Sequence, residues 1–376
     1  SAPIEENWHS VASSADGTKL VAVSDSRNFS IAGDFSLDGS IYLSKDSGIT
    51  WILATNAPTA AWISVCSSAD GSKLAAIVAG GSIYVSNDAG VTWSPINTPS
   101  EFLDCISCSA TGTKLMAGAW DDFVGQRSLI YTLWNPNWPW ITDHAPAQYW
   151  TSIACSANGK NLVASCVNAS DTGGVYFSKN YGVSWRRTTA PAGNWYAVAS
   201  SSDGKNLAAA ISGGSIYVST NSGATWNATD VPNEPWTSMA FSADGNKLVA
   251  AANYGAPIYT SNDSGQTWME ADAPYLHWLS IASSADGNKL YAASFEDGIY
   301  TLQTDPAPQL SYIRTRKTMT ISWGVPSEIF VLQQSTDNVN WNDVLTQPIL
   351  GFSNLKYHIT LPLAVSSSLL FRLHAP

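Results

Sequence analysis

The chain has 376 residues, more than one average domain holds, and 45% of them are hydrophobic, ample for a sizeable core. Only 12% are charged, half of what is usual, and the net charge of −11 argues against nucleic acid or anionic membranes as partners. No stretch approaches the ~18 apolar residues of a membrane span, no signal peptide is visible, and the start at Ser1 without Met reads as a processed form.

From the N-terminus the sequence repeats itself. Trp8, Trp62, Trp150, Trp195, Trp236 and Trp278 each open the pattern Trp-x-x-apolar-x-x-Ser-x-Asp-Gly-x-Lys-Leu, or a close variant of it, and a further copy starts at Leu103 with Thr111 in place of Asp. Successive starts lie 54, 41, 47, 45, 41 and 42 residues apart. That period fits units of four short strands, the blades of a propeller. In the unit opened by Trp62, strands are expected over 62–68, 73–78, 82–86 and 91–96. The Asp70-Gly71 pair suits a tight hairpin, and Pro99 marks the end of the unit because it cannot donate to a ladder.

The turn before the fourth strand carries Ser86-Asn87-Asp88-Ala89-Gly90-Val91-Thr92-Trp93. It resembles the Asp box, Ser-x-Asp-x-Gly-x-Thr-Trp, of the BNR-repeat propellers. Residues 44–51 and 261–268 match fully. Asn221 replaces the Asp in 219–226, and Asn180 and Ser184 vary the motif in 178–185. In the third unit it has decayed to a Trp- and Pro-rich run ending at Trp140, and the last unit lacks it after Tyr300. In this motif the carboxylate or amide accepts turn N–H groups, Gly supplies a positive φ and Trp packs on neighbouring strands. Its Asp residues are braces, not catalysts. The resemblance implies an all-β, seven-bladed propeller over 1–305. Its seventh unit has strands at 278–284, 289–295 and 298–303, and a fourth would come from upstream residues or from 302–308.

Residues 304–309 read as a Pro-rich linker, after which the repeat stops. Strands are expected at 319–323, 329–334, 357–361 and 369–373, a small β-sandwich over 306–376. It looks like the fibronectin-III-like modules that end many secreted bacterial proteins, a spacer or attachment unit. Its His358 and His374 read as surface or packing residues. The five Cys have no metal-ligand spacing and read as small buried residues.

In a propeller the Asp-Gly turns and Asp boxes share one face. The second-to-third-strand loops and the blade-to-blade loops share the other, where insertions concentrate and where a site is expected. The opening residues Trp8, Trp62, Trp150, Trp195, Trp236 and Trp278 would either ring the channel mouth as a stacking platform or wedge between blades. The insertion at 25–38 carries Asp25, Arg27, Asp34 and Asp38, and the third unit carries Trp120, Asp121, Asp122 and Arg127. Glu5, Glu6, Asp25, Glu296 and Asp297 gather where the last and first units adjoin, as a solvated rim, an acid–base pair or a calcium site. His9, His144 and His277 share that face.

The resulting expectation is a secreted, extracellular or periplasmic, monomeric protein that binds glycans or cleaves them as a glycoside hydrolase. Asp25, Asp121 and Glu296 would be acid or base. Trp8, His9, Arg27, Trp62, Trp120, Trp150, Trp195, Trp236, Tyr254, His277 and Trp278 would hold the ligand. No cofactor is required, though calcium fits the acidic rim, and no metal ligand is assigned. Two alternatives stand beside this reading, a non-enzymatic protein-interaction scaffold and a metal-assisted hydrolase of small esters or phosphoesters. The few arginines disfavour a sialidase, which needs three of them around a substrate carboxylate.

Overall fold

The computed structural model of the chain describes residues 3, 6–25, 39–98, 103–119, 129–134, 139–142, 145–146, 148–168, 172–295, 297–303, 310–315, 318–324, 331–335, 342–345, 349–351, 356–362 and 370–374. All regular structure among them is β, and the fold is a β-propeller. No helix is long and apolar enough to cross a membrane.

Each sequence repeat folds into antiparallel strands paired in chain order, and the fifth and sixth are joined into one eight-stranded sheet where Ser212 pairs with Pro235 and Gly214 with Glu234. The first comprises β1 (Asn7–Ser13), β2 (Leu20–Asp25), β3 (Ile41–Ser44) and β4 (Ile52–Leu53). The second comprises β5 (Trp62–Ser67), β6 (Leu74–Val78), β7 (Ile83–Ser86) and β8 (Ser94–Ile96). The third has β9 (Leu103–Cys108), β10 (Leu115–Ala119), β11 (Ile130–Leu133) and β12 (Ile141–Thr142). Then come β13 (Tyr149–Cys155), β14 (Leu162–Val167), β15 (Val175–Ser178) and β16 (Arg186–Arg187). The fifth repeat gives β17 (Trp195–Ser200), β18 (Leu207–Gly214), β19 (Ile216–Ser219) and β20 (Asn227–Ala228). The sixth gives β21 (Glu234–Phe241), β22 (Leu248–Ala252), β23 (Ile258–Ser261) and β24 (Met269–Glu270). The last gives β25 (Trp278–Ser283), β26 (Lys289–Ser294) and β27 (Gly298–Gln303), with no fourth strand among the described residues. The fourth strand of the third repeat forms despite its decayed Asp box, and Trp140 Nε1 donates to Asn97 O at 2.6 Å instead.

The opening tryptophans are wedges. Trp8, Trp62, Trp150, Trp195, Trp236 and Trp278 are each 0% exposed. Each meets the third-strand Tyr of its own blade edge-on, as Trp62 meets Tyr84 at 5.4 Å and Trp278 meets Tyr300 at 5.3 Å. Each also packs on the preceding blade. Trp62 lies in one cluster with Val21, Val23 and Ile41, and Trp236 with Ala208, Ala210 and Ile216. Trp8 packs with Tyr291 and Ala293 of β26, so the first blade sits on the last sheet. Leu103 fills the same role with Ala75, Ile77 and Ile83. Losing such a buried indole costs about 3–5 kcal/mol.

The turns tie the ring together. The Ala15 N–H donates to Ala69 O at 2.7 Å, Ala69 to Ala110, Ala110 to Ala157, Ala157 to Ser202, Ser202 to Ala243, Ala243 to Ala285, and Ala285 back to Ala15 O at 2.8 Å. Beside each donor a buried Ser braces its turn. Ser68 Oγ, for example, donates to Asp70 Oδ1 and accepts the Lys73 N–H. Nearer the channel a second set of serines crosses between blades. The Oγ atoms of Ser280, Ser10, Ser64, Ser152 and Ser238 accept the N–H groups of Val11, Val65, Ile106, Val198 and Ile281 at 3.1–3.2 Å. Cys105 and Ala197 stand in that Ser column in the third and fifth repeats.

The Asp boxes brace their turns as expected. Asp88 accepts from Ser86 Oγ, Thr92 N–H and Thr92 Oγ1, and Trp93 Nε1 donates to Gly90 O. The box glycines have positive φ as expected, and the residue before each is left-handed too: Ser47, Ala89, Tyr181, Ser222 and Ser264 have φ of 57–63°. The hydrogen bonds to the Asp or Asn hold a non-Gly residue there against a cost of about 1 kcal/mol.

Beyond the propeller lie β28 (Ser311–Arg314), β29 (Thr318–Gly324), β30 (Val331–Ser335), β31 (Asn342–Asp343), β32 (Ile349–Gly351), β33 (Lys356–Pro362) and β34 (Leu370–His374). They form sheets in the orders β28-β29-β33-β32 and β31-β30-β34. Ile321, Leu332 and Ile359 make one buried cluster across them. The short strands β28, β31 and β32 escape the sequence pattern.

Two outcomes test these braces. Thr92 chiefly, through its hydroxyl and its N–H, holds the Asp88 carboxyl down at about 2. A depressed folded-state value gives stability that is complete above about pH 4 and lost as pH falls towards 2. Asp88→Asn keeps the amide acceptor used by Asn180 and Asn221, so its melting temperature should fall less steeply over that window, and an unchanged slope would refute the brace. Ser280→Ala removes the partner of Val11 N–H where the ring closes. It should lower unfolding free energy by about 1 kcal/mol in a denaturant titration, and no change would mean the bond is idle.

Candidate functional site at the channel mouth

The first strands line the channel, each packed on the next, with β25 against β1. Between β13, β17 and β21 the channel holds a cavity of about 290 Å³ lined by Ser152, Val198, Thr237 and Met239 among others. At its loop-face end every first strand has the same irregularity. Trp8 pairs with Ser24 but Ser10 pairs with Val23, so His9 is an extra residue. The same slip makes extra residues of Ile63, Asp104, Thr151, Tyr196, Thr237 and Leu279. A β-bulge re-aims its extra side chain. The repeat therefore turns one residue per blade out of the sheet at one level around the mouth. Thr151 Oγ1 reaches Trp195 O at 2.6 Å, and Thr237 Oγ1 reaches Trp278 O at 2.8 Å. Tyr196 is 41% exposed.

Two of these extra residues are a histidine and a carboxylate. His9 Nε2 lies 3.1 Å from Asp25 Oδ2, and the Asp25 side chain is buried. Asp104 is open to solvent yet crowded by protein on most sides. That crowding strips water from its carboxyl and pushes it up to about 6, while His9, two blades away, pulls it down. Asp104 has no tryptophan before it, only Leu103, and the sequence pattern hid it for that reason. The column of residues following each opening position would have found it.

The expected site residues fare unevenly. The stacking platform is corrected: the six opening tryptophans offer no face to a ligand, because each ring is consumed between blades. The described members of the acidic rim each have a partner of their own. Glu6 accepts from Ser24 Oγ at 2.6 Å and Tyr42 OH at 2.8 Å, and burial together with Glu6 pushes Tyr42 up to about 12. Asp25 is paired with His9, and Asp297 accepts from Tyr300 OH at 2.8 Å. Glu5, Arg27, Asp34, Asp38, Trp120, Asp121, Asp122, Arg127, His144 and Glu296 lie outside the described residues, so only Asp25 of the three proposed catalysts has a described place. Among the described residues no three His, Cys, Asp or Glu side chains converge as a metal site. Arg187 is held by the carbonyls of Thr172 and Gly173. All five Cys are unpaired thiols, and burial raises Cys105, Cys155 and Cys166.

Tyr254 does stand out on this face. It is 77% exposed, has φ 58° and meets His277 edge-on at 5.9 Å. Its loop is clamped by Asn253 N–H to Pro235 O, Gly255 N–H to Leu276 O, and a bridge between Ala256 and Leu276. An aromatic residue held left-handed is a strained one. His9 in turn meets Phe295 edge-on at 6.3 Å, and Phe295 N–H donates to His277 O.

The chain is similar to the sortilin family, described as sortilin, neurotensin receptor 3, over residues 173–320, less than half its length. No curated protein matches it. Among solved structures it is similar to YCF48 from Cyanidioschyzon merolae, with 14% identity, TM-score 0.59, 81% of this chain and 97% of that one covered. A structure of YCF48 bound to D1 peptide has 16% identity and TM-score 0.59, covering 81% and 95%. The β-propeller domain of Swd1 from Myceliophteria thermophila has 13% identity and TM-score 0.61, covering 81% and 99%. Identities this low speak for the fold alone.

A carboxyl whose folded-state value is raised is one that the fold would rather keep protonated. Its contribution to stability is present at low pH and lost as pH rises from about 4 through about 6. Asp104→Asn should therefore raise the melting temperature at pH 7 to 8 and leave it unchanged near pH 4. Equal effects at both would show that Asp104 carries no such cost.

Proposed function

We propose that this protein is a non-enzymatic binding propeller that takes a polypeptide partner on its loop face, at the channel mouth. The carrying observation is what the fold leaves free there. The tryptophans that could have gripped a sugar are buried, Glu6, Asp25 and Asp297 are each engaged locally, and what is exposed is Asp104 and Tyr196 of the bulge collar together with Tyr254. Asp104 fits this reading because a carboxyl kept at a cost to stability is a mark of a working surface. The peptide complex of YCF48 adds support from a propeller of similar fold.

We infer, as part of the same reading, a ring of seven blades over 1–305, closed by β25–β27, with a small sandwich over 306–376. The hydrogen-bond cycle that returns from Ala285 to Ala15 supports the count, and the cluster of Ile321, Leu332 and Ile359 supports the sandwich. An extracellular or periplasmic setting and a monomeric state belong to this proposal too.

One observation favours a second reading, a glycoside hydrolase. A carboxyl raised to about 6 is what a general acid needs. The acid would then be Asp104.

A peptide array and a glycan array, followed by assay of reducing-sugar release over a polysaccharide panel, separate the two. Peptide binding without sugar release is the expected result. Sugar release that disappears in Asp104→Asn would overturn the binding-module reading in favour of the hydrolase.

A further inference from the structure

The charge of the propeller is divided between its faces, and the division follows from the repeat. Between residues 1 and 303 the sequence has nine lysines: Lys19, Lys45, Lys73, Lys114, Lys160, Lys179, Lys205, Lys247 and Lys289. Every one falls in, or directly after, an Asp-Gly-type turn or an Asp box, so all nine lie on the turn face. Several are used there. Lys19 Nζ donates to Asp70 O and Lys114 Nζ to Asn158 O, each at 2.8 Å, and Lys247 Nζ bonds Asn288 Oδ1. The aspartates of the same turns offset them.

The loop face has no lysine among the described residues. Its described carboxylates are Glu6, Asp25, Asp104, Asp230, Glu234, Asp272 and Asp297. The described cations near it are Arg186 and Arg187 on the outermost strand β16, away from the channel, and Arg187 is engaged by carbonyls. Among the described residues the channel side of this face carries carboxylates and no lysine or arginine; charge of one sign over low-dielectric walls focuses its field at a cleft, and the cleft here is the channel mouth. Asp104 stands in it, with His9 as the charge that acts on it among the described residues. Around the same level is the exposed aromatic member of the collar, Tyr196, with Tyr254 on a loop of that face.

We propose that the loop face docks a cationic polypeptide segment, which sets a lysine or arginine against the Asp104 carboxylate and its apolar neighbours against Tyr196 and Tyr254. This rests on the reading of the protein as a polypeptide-binding propeller and names the chemistry of the partner. The two features answer different parts of one ligand. The negative field attracts the segment and selects its sign. The exposed tyrosines supply contact area, and their rings also accept cations. An anionic partner would have to approach against the field, and a neutral one would leave Asp104 desolvated without a counter-charge, which is costly.

The test uses the full chain and three labelled peptides of one length. One is rich in Lys and Leu, one in Gln and Leu, one in Glu and Leu. Fluorescence anisotropy should show the basic probe binding most tightly, and binding should weaken about tenfold between about 50 mM and about 500 mM salt, as screening shortens the reach of the field. Asp104→Asn should weaken the basic probe at least about fivefold, which corresponds to about 1 kcal/mol. Asp203→Asn, on the turn face where Asn158 already fills the equivalent place, should leave it unchanged. Equal affinity for basic and neutral probes, or equal effects of the two substitutions, overturns the proposal. If the neutral or acidic probe binds best and Tyr254→Ala abolishes it, the binding-module reading stands and the cationic partner falls. If none of the three binds and the peptide array is blank, both fall.

Discussion

The amide of one turn residue in each blade donates to the matching carbonyl of the next, and the series returns to its start at Ala15. This cycle constrains everything else. It fixes the first strands at one height, so residues at equivalent places in the repeat come to equivalent places around the channel. The buried tryptophans act in the same sense from the other end of those strands. Each is pinned between the third-strand Tyr of its own blade and the apolar face of the preceding one. A propeller blade has little core of its own, and its stability comes from the faces it shares.

The same constraint accounts for the difference between the two faces. The turn face is committed to building: its Ser, Asp, Gly and Lys residues close turns and cross between blades. Little there is free to change without loss. The loop face carries no part of that cycle. Its side chains are set by bulges and loop clamps, local devices that can vary from blade to blade. His9, Asp104 and Tyr196 occupy one structural position and share no chemistry. Variation of that kind on a rigid frame is how a scaffold acquires a binding surface.

Asp104 and Tyr254 show what such a surface costs. Crowding by the surrounding protein disfavours the charged form of Asp104, and a left-handed backbone disfavours Tyr254. Neither helps the fold. Both are held in place by surroundings that over-determine them, the bulged first strand in one case and the clamped loop in the other. The field of the acidic loop face is a third cost, since like charges repel one another across the mouth.

The repeat of Trp, Asp-Gly and Asp box made the β-propeller legible in the sequence, because alternation, turn chemistry and a period of 41–54 residues are local signals. The structural role of the Asp boxes was legible for the same reason, since their partners lie within four residues. What the tryptophans do was not. A residue at the start of an inner strand is compatible with the channel or with the gap between blades, and only the packed neighbour decides between them. Asp104 was hidden twice, by the loss of Trp at Leu103 and by a bulge that exists only as a mismatch between paired strands. The described members of the acidic rim were hidden in the opposite way. Glu6, Asp25 and Asp297 are near one another in the order of the ring, but each is engaged by a partner that the sequence does not point to, Tyr42, His9 and Tyr300. Local chemistry thus determined the scaffold. Which side chains it left exposed, and on which face its charge collected, were decided by closure of the ring.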